Sequence, residues 1–230
     1  MQAREIKERL NSLIGEASAK EPSLAKRLDE INRWIKEVKP GSLTAKKFAI
    51  AFLLQVIQDA SVWLTLQALP SREEQEFALE QMTPTERYWY TYLFPKWITE
   101  NDPKFYIWKQ KLMAGEFTQA DDDILKSMAE TIVRREGTFW RCYVADFSMA
   151  TDLIVSSRQE KPLCIQVTSL NSDFARQKYE NWKDTLQIWR IDRGLFLSYN
   201  PAIPEFVNQL VNMTLYNSDY LPLATYLKFP

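Results

Sequence analysis

The chain has 230 residues, 46% of them hydrophobic, which is enough apolar material for a packed core and excludes disorder as the starting expectation. Lys and Arg total 29 against 30 Asp and Glu, so a polybasic binder is excluded and any nucleic-acid contact has to come from a local patch. Histidine is absent, which excludes imidazole metal sites, Ser-His-Asp triads and imidazole acid–base chemistry.

The opening residues MQAREIKERL contain no apolar signal region, and a secretory leader is not expected. Most of the first 135 residues are in helical period, with helices predicted near 3–17, 22–38, 44–69, 72–81, 84–99, 103–113 and 119–135. Ser71 with Glu74 and Thr83 with Glu86 have capping-box spacing, and Pro84 and Pro103 suit first-turn positions where a missing N–H costs little. Gly41, Gly115 and Gly137 read as helix stops. The long apolar stretch Phe48 to Leu69 is interrupted by Gln55, Gln58 and Asp59, which predicts a buried helix rather than a membrane span. Residues 1–50 hold eleven Lys/Arg against seven Asp/Glu, so the first amphipathic helix is a candidate contact for a phosphate backbone. Asp121 to Asp123 read as a solvated first turn matched to the helix dipole.

The period changes after Gly137. TFWRCYVADF, TDLIVSS and KPLCIQVTSL are rich in β-branched and aromatic residues, and RQEK is short enough to join a hairpin. Both cysteines, Cys142 and Cys164, fall in these predicted strands among apolar neighbours, which suits reduced, buried thiols and a cytosolic protein. Ala175, Tyr179, Trp182, Leu186 and Trp189 then repeat at helical spacing up to Gly194, read as the stop. LFLSYN is a fourth strand, and Pro204 to Leu215 a closing helix. A helix between strands three and four allows those two to lie parallel in one sheet.

Along the third strand Cys164, Gln166 and Thr168 share one face and Ile165 and Val167 the other, so Asp152 at the head of the second strand can meet Gln166. As plain sheet chemistry, Asp152 caps a turn and Gln166 and Thr168 line a half-solvated face. The αβββαβ order over residues 119–200, with Asp152 on strand two and the polar pair Gln166 and Thr168 on strand three, resembles the restriction-endonuclease-like fold of the PD-(D/E)xK nuclease superfamily. The helical period gives a helical domain over 1–118, which the resemblance does not explain; the resemblance implies a restriction-endonuclease-like domain over 119–230 with a closing helix, and the whole is an α+β protein. In that family a helix acid, the strand-two Asp and a strand-three Glu hold one or two Mg²⁺ ions, and a Lys two residues later helps activate water.

Carried over, Asp152 is the strand-two ligand and Glu130, with Glu136 as the other candidate, is the helix acid. Gln166 stands where the Glu belongs and offers only a neutral oxygen, while Thr168 stands where the Lys belongs. Lys178, on the following helix beside Tyr179, is the substitute cation able to reach back to the sheet. The expected function is therefore Mg²⁺-dependent phosphodiester hydrolysis by Asp152, Glu130, Gln166 and Lys178, or nucleic-acid binding by a catalytically degenerate relative. The alternative is an adaptor that docks a protein through the aromatic-rich Tyr88–Trp97 stretch, which equally reads as a core ridge. The sequence contains no Walker A loop, GxGxxG, GxSxG or CxxC.

Overall fold

A computed structural model describes residues 3–37, 47–114, 119–169, 175–200 and 205–229. The protein is α+β, with eleven α-helices and five strands among the described residues. The chain divides into two compact units, Met1–Gln81 with Phe94–Phe117, and Met82–Leu93 with Thr118–Pro230. The segment 82–93 thus belongs with the sheet rather than with the helices that precede it in sequence.

The first unit contains α1 (Ala3–Lys20), α2 (Pro22–Glu37), α3 (Lys47–Gln67) and α4 (Arg72–Glu80). Buried Ile6, Leu10, Leu13 and Ala17 mark the apolar stripe of α1, at the three- and four-residue spacing that a helix face requires. In α3, Phe52, Leu53, Val56 and Ile57 are buried. This helix is long and apolar enough to cross a membrane, yet half of its most apolar window is buried inside the protein. Ser71 caps α4 by accepting from the Glu74 N–H, as its spacing requires. After α5 (Pro84–Tyr88) and a π-helical turn (Trp89–Leu93), α6 (Phe94–Thr99) returns to this unit. Its last carbonyls are satisfied by a buried cation: Arg27 donates to the Trp97 carbonyl oxygen at 2.8 and 3.0 Å and pairs with Glu30 at 2.9 Å. The helix α7 (Phe105–Ala114) begins two residues after Pro103, and Asp102 braces the turn that leads into it. Its carboxylate accepts from the Lys104 N–H at 2.9 Å and from the Trp108 ring N–H at 3.1 Å.

In the second unit, Thr83 and Glu86 form the full capping box that opens α5, with Pro84 in its first turn. There follow α8 (Gln119–Arg134), β1 (Thr138–Trp140), α9 (Tyr143–Met149), β2 (Leu153–Ser156), β3 (Leu163–Ser169), α10 (Ala175–Ile188), β4 (Arg193–Tyr199), α11 (Phe206–Tyr220) and β5 (Thr225–Phe229). The five strands form one mixed sheet in the order β1-β2-β3-β4-β5. The first two pairings are antiparallel; β3 with β4 and β4 with β5 are parallel. Strand alternation then sorts the side chains. Leu153, Val155, Leu163, Ile165, Leu195 and Leu197 pack on Leu125, Met128 and Ile132 of α8 and on Leu210 and Val211 of α11. On the opposite face, Phe196 meets Trp182 of α10 edge-on, with ring centroids 5.5 Å apart.

Four expectations are corrected. The first predicted strand covers only Thr138–Trp140. From Cys142 the chain is helical, because the buried residues Val144, Ala145, Ser148 and Met149 follow helical rather than alternating spacing. Cys142 is therefore a helix cap, its sulfur accepting from the Ala145 N–H, and not a strand residue. Gly194 is not a stop: it lies inside β4, while the chain leaves α10 through Arg190, whose φ of 52° is left-handed. The closing helix runs on to Tyr220 and is followed by β5, which had no expected counterpart. At the end of α8, Glu136 (φ 62°) takes the left-handed conformation, one residue before Gly137. Gly41 and Gly115 lie outside the described residues.

Gly194 is needed for close approach. A Cβ there would stand 2.3 Å from Leu186 Cδ1 and 2.8 Å from the Trp182 ring. Gly194→Ala is expected to cost about 1–3 kcal/mol by overpacking the sheet against α10, measured as a lower urea midpoint at unchanged m-value.

Candidate functional site

On the α10 face of the sheet, β3 presents Cys164, Gln166 and Thr168 in turn, and its carboxyl end is the more open. Cys164 is buried, Gln166 is half-buried, Thr168 is only 9% exposed and Ser169 reaches solvent. Asp152 stands at the entry to β2 on the same face, held by its own N–H donating to the Ile165 carbonyl oxygen at 2.8 Å. Its carboxylate Oδ2 accepts from Gln166 Nε2 at 2.6 Å and from the Val167 N–H at 2.7 Å. The alternation of β3 thus brings Asp152 and Gln166 together, as expected.

Lys178 also arrives. Its ammonium donates to the Thr168 hydroxyl from the first turns of α10. Its reach follows from the parallel β3–β4 pairing, which lays α10 over this face with Trp182 and Leu186 buried beneath it.

Glu130 does not join them. It is exposed on α8, whose buried residues pack on the Leu153–Ile165 face, and it is not among the charges that act on Asp152. Glu136, the other candidate, is exposed at the end of the same helix. The acid that does act on Asp152 is Asp146 of α9, which sequence reasoning missed because its segment read as a strand. Arg141, between β1 and α9, is a further charge there, and it pairs with Asp122 of α8 at 2.7 Å.

Burial pushes the Asp152 carboxyl well above its ordinary range, and the Asp146 charge adds to the shift. The Val167 N–H, Arg141 and Lys178 oppose it without cancelling it. Deeper on the same face, burial pushes the Cys164 thiol up to about 12, so this cysteine is not a nucleophile at neutral pH. Cys142 and Cys164 are both buried and unbridged.

The Tyr88–Trp97 stretch is largely interior: Trp89, Tyr90, Leu93, Phe94 and Trp97 are buried. Tyr88 and Tyr92 stack at 5.2 Å, and the Tyr92 hydroxyl donates to the Arg190 carbonyl oxygen.

Among the described residues, no group of three or more His, Cys, Asp or Glu is arranged to hold a metal ion. Comparison with protein-family models, with curated proteins and with solved structures finds no match to this chain.

The buried carboxyl makes stability depend on pH. Its folded pKa lies above the ordinary value of 3.8, so the folded state keeps the proton after the unfolded chain has lost it. Its contribution is fully favourable below that ordinary value and is lost as pH rises from there through the raised folded value. Asp152→Asn keeps an acceptor for both N–H groups and cannot ionise. It is expected to gain stability relative to the wild type as pH rises through that window, and then to level off, in urea unfolding across a pH series. Asp152→Ala leaves the Val167 and Gln166 donors without their acceptor and is expected to cost about 1–3 kcal/mol.

Proposed function

We propose that this chain is a divergent protein of the restriction-endonuclease-like kind that engages nucleic acid without metal-dependent cleavage. The observation that carries the reading is the meeting of Asp152, Gln166 and the Lys178–Thr168 pair at one end of a mixed sheet whose third and fourth strands are joined by a helix crossover. Loss of cleavage is supported by the donors. A magnesium ion requires several oxygen ligands turned toward it, whereas the best-placed carboxylate oxygen faces two N–H groups. The donor set as it stands does not fit the ion. Lys178 is the exposed cation at this end, and a phosphodiester would have to take it from the Thr168 hydroxyl, while the less exposed Arg141 is held by Asp122. Buried, unbridged cysteines support placing the protein in the cytosol.

Docking of a protein partner is the second reading, and the feature that favours it is the outer side of α11 rather than the Tyr88–Trp97 stretch. Tyr216 and Tyr220 are 64% and 65% exposed and pack together at 4.9 Å, with Leu223 exposed in the following turn.

Fluorescence anisotropy with short single- and double-stranded oligonucleotides separates these readings. The expected result is binding that weakens steeply with salt, with intact oligonucleotide after incubation with Mg²⁺ or Mn²⁺. Lys178→Ala is expected to weaken binding about equally for all sequences and to lower the salt slope by about 1. Nicking that Asp152→Ala abolishes would establish an active nuclease instead. If no oligonucleotide binds, the partner reading takes its place, and Tyr216→Ala/Tyr220→Ala is then expected to abolish co-purification of a stoichiometric protein.

A further inference from the structure

We propose that Gln166 is the residue that keeps divalent cations out of this site, its amide group occupying the place beside Asp152 that a cation would need. The inference rests on the nuclease-like reading of the site and deepens it by assigning the discrimination to one side chain.

A carboxylate oxygen offers its lone pairs either to N–H donors or to a cation. The Oδ2 of Asp152 has two donors already, at 2.6 Å from Gln166 and 2.7 Å from Val167, and the residue is only 7% exposed. The Val167 donor belongs to the backbone of β3 and cannot turn away. Against the ionised carboxylate the Gln166 amide is also fixed in its orientation. Turned end for end, it would set its carbonyl oxygen against the carboxylate oxygen at the same 2.6 Å, a contact of two acceptors that only an intervening proton or cation makes tolerable. A neutral donor therefore stands where a positive ion would have to be.

Glutamate has the same shape as glutamine and differs in this one respect. Gln166→Glu places two carboxyl oxygens in direct contact in a half-buried position, where both cannot ionise unless positive charge is held between them. The charges around the pair are Asp146 from α9, Arg141 from the β1–α9 connection and Lys178 from α10. Lys178 is engaged with Thr168 and Arg141 with Asp122, so neither is free to bridge the new pair without giving up a bond. The variant is left with two ways to relieve the repulsion, a shared proton at low pH or a divalent cation at neutral pH.

The test uses the full chain and follows thermal unfolding at neutral pH in EDTA and with Mg²⁺, Mn²⁺ or Ca²⁺. Calorimetric titration with Mn²⁺ runs alongside it. The wild type is expected to show the same Tm in all four solutions and no binding heat. Gln166→Glu is expected to melt lower in EDTA and to recover with cation. An ion at about a hundred times its Kd raises Tm by roughly 5–10 °C in a chain of this size. The exchanged pair Asp152→Asn/Gln166→Glu again sets one acid against one amide and is expected to ignore the cation.

Binding heat or a Tm rise in the wild type would overturn the proposal. So would a cation-insensitive Gln166→Glu, or an exchanged pair that responds as strongly as the single variant. Should Gln166→Glu fail to fold, the wild-type titration decides alone, heat overturning the proposal and its absence supporting it. None of these measurements reads nucleic acid. A chain that binds no oligonucleotide leaves this result standing, and a wild type that binds Mn²⁺ leaves oligonucleotide binding standing.

Discussion

Parallel neighbours cannot be joined by a tight turn, and the pairing of β3 with β4 therefore forces the chain out of the sheet after Ser169 and back in at Arg193. The excursion includes α10, and the handedness of such crossovers determines which face it covers. Everything that gathers near Asp152 depends on that constraint. Trp182 and Leu186 are buried on the far side of β4 from α8, over the glycine that lets them approach, and Lys178 is one turn earlier on the same helix. Had β3 and β4 been joined by a hairpin, Thr168 would face a loop and Lys178 would have no fixed place.

Within that frame the Asp152 carboxyl is a structural element before it is a chemical one. Taking an ionised carboxylate out of water costs several kcal/mol, and two hydrogen bonds to neutral N–H groups offset only part of it. The remainder appears as the raised pKa, which means that folding favours the protonated form. A cation would reverse the sign of this balance by favouring the ionised form. The same carboxyl therefore cannot be satisfied equally by an amide and by a metal. The identity of residue 166 decides which of the two electrostatic arrangements the β2–β3 pair adopts.

Sequence patterns carried the parts of the fold that local physics determines. The 3.6-residue stripes of α1 and α8, the capping box at Thr83 and the two-residue alternation that unites Cys164, Gln166 and Thr168 are all visible without coordinates, because each depends on neighbours within one or two turns. The misreadings have a common origin. RCYVADF is as rich in aromatic and β-branched residues as a strand, and only its burial pattern in the folded chain shows it to be α9. The family resemblance places the side chain of Glu130 beside Asp152, as the acid of the helix that precedes the sheet. Which face a helix covers depends on long-range packing, and α8 packs opposite. Asp146 was missed for the same reason that α9 was: an acid placed in a strand gave no reason to look toward the next one.

The burial gradient along β3 limits where any ligand can meet this face. Cys164 is buried, and burial pushes its thiol pKa up against the opposing hydrogen bonding of Thr151 and Tyr88. Two residues on, Gln166 is half-open; Thr168 is buried again beneath Lys178, and only Ser169 at the strand's end is exposed. In open α/β sheets the carboxyl ends of parallel strands are where helices and strands part and leave a crevice. Here that end carries Gln166, Thr168 and Lys178, polar groups of which the last two already satisfy each other. A phosphate approaching this rim has to compete with Thr168 for the ammonium, whereas a metal has to displace an amide and remove a proton. The first exchange replaces one hydrogen bond with another of greater charge; the second requires the amide to turn away and the proton to leave together. That asymmetry is the physical argument behind the proposal that this surface meets an anion rather than a metal.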